Sequence, residues 1–254
     1  MLMINCRPWI VAGFILLAEI CQAVAQTSDK TLTQKQKLEV QGIIKNYLHT
    51  HPELLIDSIQ TFRRQQKQEQ QRQSRLTLAQ LQEQVLRDPG SPVAGNPAGD
   101  VTVVEFFDYL CTYCKRIVPA IQKLLNQDKK LRYVFKELPI LSPDSRLAAR
   151  AALVVWKHRK EKYFDFHTTL MKSKGRLSEA RILRMAGAMG VDSALIKSKM
   201  HSGDISEILQ RNSDLAQRLG VKGTPAFIIG DKIIPGAIDL ATLQRIVAEQ
   251  RKSR

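Results

Sequence analysis

A chain of 254 residues, 44% hydrophobic and 25% charged, has room for one large domain or a domain with an appendage, enough apolar content for a core, and the charge of a soluble protein. Its formal net charge of +15 is high, but the basic residues are scattered rather than blocked. That pattern reads as a solvated basic surface and argues against a dedicated tract for nucleic acid or anionic lipid.

The first predicted element is a secretory signal. Arg7 precedes the uncharged run Trp9 to Leu17, "WIVAGFILL", and "AVA" at 23–25 supplies small residues at the cleavage site. The apolar run is far short of the ~20 residues that span a bilayer. Cleavage is expected after Ala25, releasing the chain into the periplasm, where nucleic acid is not an expected partner. Cys6 and Cys21 leave with the signal, so the mature chain holds Cys111 and Cys114 alone, in a compartment that permits disulfides.

Residues 26–88 form an expected helical arm. Val40, Ile44, Tyr47 and Leu48 share a helical face, "HPELL" at 51–55 reads as a break and restart, and Leu54, Leu55, Ile59 and Phe62 continue the face. "RRQQKQEQQRQSR" at 63–75 has no apolar residue and suits an extended solvated helix or a hinge, before Leu78, Leu81 and Val85 resume. In a monomer the two apolar faces would be exposed, which favours an oligomerisation arm. "DPGSPVAGNPAGD" at 88–100, with three prolines and three glycines, marks a boundary, and 89–100 is read as a linker.

The 101–254 domain opens with "VTVVEFF" (101–107), a buried strand, followed by helical spacing at Ile117, Ile121, Leu124 and Leu125. "LRYVFKELPI" (131–140) is a second strand, a helical insertion covers about 143–218, "AFIIG" and "KIIPG" form a hairpin, and a helix from Asp239 to Gln250 closes the chain. The fold class is α/β.

Cys111 and Cys114 therefore sit where a strand ends and a helix begins. Free N–H groups and the helix dipole stabilise a thiolate there, which makes Cys111 the expected attacking sulfur and Cys114, one turn inside, the resolving one. A four-residue disulfide loop barely restricts the unfolded chain, so a structural role explains the pair poorly. Structural zinc normally needs four ligands, and His49, His51, His158, His167 and His201 show no paired spacing near the cysteines, so no metal residue is assigned. A site shared between subunits or a copper(I) thiolate stays open. In "VKGTPAFIIG" (221–230), Thr224-Pro225 just before a buried strand is either an ordinary turn or a cis peptide bond that presents the Thr224 backbone to an extended substrate.

"EFFDYLCTYCK" with "GVKGTPAFIIG", in this order and about 110 residues apart, resembles the thioredoxin-fold thiol–disulfide oxidoreductases of the DsbA family, in the branch with an N-terminal helical extension. The likeness covers about 101–254 well and the arm more loosely. It implies a thioredoxin-like fold with a helical insertion and cis-Pro225 facing Cys111 and Cys114. It also implies a peptide groove beside them, with Thr112, Tyr113, Thr224 and Pro225 contacting substrate. It matches Glu105 to a buried acid that assists proton transfer from the cysteines, with Lys136 as a charge partner. It implies a homo-oligomer, dimer or trimer, through the arm. DsbA oxidases often carry Pro-His between the cysteines; Thr112 and Tyr113 supply no positive charge, so a less oxidising potential is expected. The expected function is a periplasmic enzyme that forms or isomerises disulfides in secreted proteins, with no cofactor beyond the redox-active pair and a membrane partner to reset it. The alternatives are a copper- or zinc-binding tolerance protein using the same thiols, and a structural scaffold in which the cysteines are dispensable.

Overall fold

The structure, a computed structural model, describes residues 32–253, so the expected signal segment lies outside the described residues. Chain contacts divide it into one unit up to Gln65 and a second from Gln66 onward.

In the first unit, helix α1 (Gln34–Thr50) starts on a capping box. Thr33 Oγ1 accepts from the Gln36 N–H at 3.3 Å, and the Gln36 side chain accepts from the Thr33 N–H at 2.9 Å. The helix stops at His51 because Pro52 follows and opens helix α2 (Pro52–Gln80), a first position where the missing N–H costs nothing. The expected break at "HPELL" is thus a clean stop and restart. Helix α2 continues without interruption through the wholly polar 63–75 stretch. Ile43, Ile44, Tyr47, Ile59 and Phe62 are each more than half exposed.

The second unit is built on a five-stranded sheet. Its strands are β1 (Val93–Gly95), β2 (Val101–Phe107), β3 (Leu131–Glu137), β4 (Ala226–Ile229) and β5 (Lys232–Pro235), in the order β1-β3-β2-β4-β5. Only β2 and β3 run parallel; the other pairs are antiparallel. The crossover between the parallel strands is helix α4 (Thr112–Gln127), which follows the short α3 (Gln82–Leu86) in chain order. Helices α5 (Pro143–His158), α6 (Lys160–Lys172), α7 (Glu179–Ala188), α8 (Ser193–Lys199) and α9 (Gly203–Arg218) intervene between β3 and β4, and α10 (Leu240–Lys252) ends the chain.

Strand alternation sends side chains to two faces. Val101, Val103, Phe107, Tyr133 and Phe135 join a core with α4, α10 and the inserted helices, whereas Val104, Phe106, Val134 and Ile228 form a second core. Leu78, Leu81 and Val85 complete that second core, all at most 6% exposed. Burial of each contributes on the order of 1.5–3 kcal/mol, which ties residues 78–85 to the sheet unit. The 89–100 stretch, expected as a linker, also belongs to the sheet: β1 pairs with β3, and Phe135 N–H donates to Pro92 O at 2.8 Å. Its glycines serve turns and close approach rather than flexibility. Gly95 has φ +75°, and a Cβ there would lie 2.5 Å from Leu131 O.

Candidate active site

Strand β2 ends at Phe107, and the next four residues turn the chain into α4. Asp108 holds the turn: Oδ1 accepts from the Leu110 N–H (2.7 Å), Oδ2 from the Leu141 N–H (3.0 Å), and its carbonyl from the Cys111 N–H (3.1 Å). Cys111 is the N-cap of α4, and its Sγ accepts from the Cys114 N–H at 3.3 Å. The sulfur thus fills the role that a serine or aspartate oxygen usually plays at a helix start, and a thiolate would receive a backbone donor and the positive end of the dipole.

Across from it, the Thr224–Pro225 peptide bond is cis, and the Cys111 thiol donates to Thr224 O at 3.2 Å. The two motifs that sequence reasoning paired are therefore in direct contact. Only 5% of Cys111 is accessible, with the Thr224 carbonyl against its sulfur. Cys114 is fully buried. Burial pushes its thiol up, and the neighbouring Glu105 carboxyl and Cys111 sulfur add to the shift. Thr112 and Tyr113 lie exposed at the opening. Although neither carries charge, the Arg116 guanidinium stands 5.3 Å from the Tyr113 ring centre, a cation that the two intervening residues alone do not reveal. Arg116 also lines a depression of about 300 Å³ with Ile117, Lys123, Ile238 and Leu240, beside the helix that carries the cysteines.

Glu105 is buried beneath this helix. Tyr133 donates its hydroxyl to Oε2 at 2.7 Å, while Oε1 has no hydrogen-bond partner. Burial pushes the carboxyl up to about 8, against the opposing effect of the Tyr133 bond, so at neutral pH it holds a proton near Cys114.

Lys136 is not its partner. Glu105 faces the same side as Tyr133 and Phe135, and Lys136, one residue on from Phe135, points to the other. There its ammonium donates to Gln84 O (2.8 Å) and pairs with Asp88 Oδ2 (3.1 Å). Burial lowers the Lys136 pKa, partly offset by Asp88.

A second buried acid, Glu137, escaped sequence reasoning. Tyr109 and Tyr163 donate to its Oε1 at 3.2 and 3.1 Å, Oε2 is unpartnered, and burial holds it well above the ordinary carboxylate range. The Tyr109 hydroxyl also lies 3.2 Å from His167 Nδ1, and burial lowers His167 to about 3, keeping it neutral. Tyr109 stands two residues before Cys111, so this cluster fastens the cysteine turn to α6. The signal was available: two-residue alternation along β3 puts Tyr133, Phe135 and Glu137 on one face.

Among the described residues no cluster of three or more His, Cys, Asp or Glu could hold a metal ion. What the arrangement can do is exchange thiols: one sulfur at a helix start beside a backbone carbonyl, a second kept protonated one turn deeper, and an acid able to hold or give a proton.

The chain is similar to known proteins over much of its length. Residues 36–69 match the copper resistance protein ScsC N-terminal domain. Disulfide bond formation protein D of Bacillus subtilis is 27% identical over 177 residues, 65% of this chain and 79% of that protein. A thioredoxin-like oxidoreductase from Silicibacter pomeroyi superposes with a TM-score of 0.65 at 40% identity, covering 68% of this chain and 98% of that one. Proteus mirabilis ScsC in a transitional conformation gives a TM-score of 0.66 at 33% identity, covering 88% and 100%. Residues 102–248 match the DSBA-like thioredoxin domain, and with its cysteine pair at the start of α4 the chain belongs to this DsbA-like family of thiol–disulfide oxidoreductases.

Proposed function

We propose that the protein is a periplasmic thiol–disulfide oxidoreductase that forms and isomerises disulfides in secreted proteins. The observation that carries this reading is the contact of Cys111 Sγ with Thr224 O, which sets the outer sulfur against a backbone edge on which an extended substrate can lie.

In the oxidising direction a substrate thiolate attacks Sγ of Cys111 in the Cys111–Cys114 disulfide. The S–S bond breaks, a mixed disulfide forms with Cys111, and Cys114 leaves with the electron pair. Its thiol is pushed up by burial, so it takes a proton at once, and protonated Glu105 is the adjacent source. A second substrate thiolate then attacks the substrate sulfur of the mixed disulfide and releases Cys111 as a thiolate. The substrate has lost two electrons and the pair has gained them; a membrane redox partner would take them away. In isomerisation the Cys111 thiolate attacks first, and the same steps run without net oxidation. The pair itself is the redox group, with no further cofactor.

The arm supports an oligomeric form of this activity. Large apolar side chains are exposed along α1 and the start of α2, which suits assembly as a dimer or trimer. Several active sites on one assembly raise the effective concentration at a misfolded substrate.

Insulin reduction and glutathione exchange by the purified chain test this reading. Turnover that vanishes in Cys111→Ser supports it; stoichiometric thiol titration without turnover counts against it. The match of residues 36–69 to a copper resistance protein's domain motivates one rival reading, copper(I) held by the two thiolates. Tight one-to-one copper(I) binding together with no turnover would favour that rival.

A further inference from the structure

On the side of the cysteine turn formed by residues 138–143, a groove of about 920 Å³ runs between the start of α5 and helix α9. Its floor is apolar, from Leu138, Leu147 and Leu209, and its rim carries Ile140 and Leu141, each more than half exposed. Its ionisable side chains are Arg146, Arg150 and His201, and no acidic side chain lines it. Of the carboxylates on neighbouring turns, Asp144 pairs with Arg176, Asp204 with Lys157, Asp214 accepts from Gln210, and the buried Asp108 accepts from backbone N–H groups. Among the described residues neither arginine forms an ion pair, and Arg150 is held in place by donating to Met200 O at 2.9 Å.

The rim of the groove is tied to the turn that carries Cys111. Asp108 accepts from the Leu141 N–H on the rim and, through its own carbonyl, from the Cys111 N–H. One buried residue, through its side chain and its carbonyl, therefore fixes rim and cysteine turn to each other.

We propose that this groove docks acidic segments containing apolar side chains, in the unfolded polypeptides whose cysteines react at Cys111. The proposal rests on the exchange function above and narrows its substrates. Apolar side chains cover Ile140, Leu141 and the floor, and carboxylates pair with Arg146 and Arg150. The arginines select for acid because the groove offers a basic segment no counter-charge.

Binding and chemistry are read separately. A fluorescent, cysteine-free peptide of alternating Leu, Asp and Glu, and its twin with Lys at every acidic position, are titrated by anisotropy against the full chain, Arg146→Glu and Ile140→Ser. Glutathione exchange is measured on the same samples; none of these substitutions touches the redox pair, so its rate stays unchanged. The acidic peptide is expected to bind at least tenfold tighter than its twin, and each substitution to weaken it at least fivefold. Equal binding of the two peptides overturns the proposal. So does acidic binding that both substitutions leave intact, since attraction then comes from the +15 surface as a whole. Self-association lost in Arg146→Glu, with no peptide binding, would assign the groove to a second copy of this chain and also overturn it. Selective peptide binding without glutathione exchange supports the groove and counts against the oxidoreductase reading alone.

Discussion

Glu105 ties the stability of this protein to the chemistry proposed for it. In the unfolded chain its carboxyl titrates near 4.5, and in the fold near 8. Between those values the folded state binds the extra proton, so stability is fully present below 4.5 and is lost as pH rises through 8. The loss is on the order of 3 kcal/mol at pH 7. Glu105→Gln keeps an acceptor for Tyr133 and removes the titration. Chemical denaturation should therefore show the variant roughly 3 kcal/mol more stable at pH 7 and nearly equal to the parent at pH 4. The same variant should slow exchange severalfold at neutral pH, if the acid supplies the proton to Cys114. Tyr113 bears on electron direction: with no histidine between the cysteines, a glutathione redox titration should place the pair at a more reducing potential than the roughly −120 mV of DsbA. A value as oxidising as that would mean that Arg116, over the Tyr113 ring, does the histidine's work. At this scale most of the site was legible, because Cys-X-X-Cys and Thr-Pro are local signals. The Lys136 assignment failed because it ignored alternation, which puts Lys136 and Phe135 on opposite faces of β3 and so separates it from Glu105.

Among the elements, the segment from Leu78 to Gly95 departs furthest from expectation. Its proline and glycine content reads as a boundary, and a three-residue strand is too short to show alternation. What recruits it is tertiary: Leu81 and Val85 fill the second core, and Asp88 meets the buried Lys136 ammonium. Asp88→Ala leaves that ammonium unpaired in a nearly closed site. It should cost about 3–5 kcal/mol of stability by denaturant titration, with the redox potential unchanged. A loss below 1 kcal/mol would show that the Gln84 carbonyl suffices for the charge. Helix α4, in contrast, was readable in the sequence from Ile117 to Leu125, because its amphipathic spacing and its packing agree.

For the whole molecule, the sequence pattern was enough for the family and the α/β class, since two specific motifs in the right order restrict the fold strongly. It could not place the charge. The +15 total is a sum over the surface, and only the folded chain shows two arginines gathered over an apolar groove without acidic partners. The proposed assembly would use the exposed apolar side chains between residues 38 and 62. Light scattering should give two or three times the chain mass for the parent and a monomer for a chain starting at Gln66; equal masses would contradict the role of the arm. In the proposed chemistry Cys111 is the attacking sulfur and Cys114 the resolving one. Cys114→Ala, expressed in the periplasm and analysed by nonreducing gels and mass spectrometry, should accumulate mixed disulfides between Cys111 and substrate proteins, while Cys111→Ala should accumulate few. Absence of adducts in Cys114→Ala, or equal trapping through Cys114 in Cys111→Ala, would contradict it.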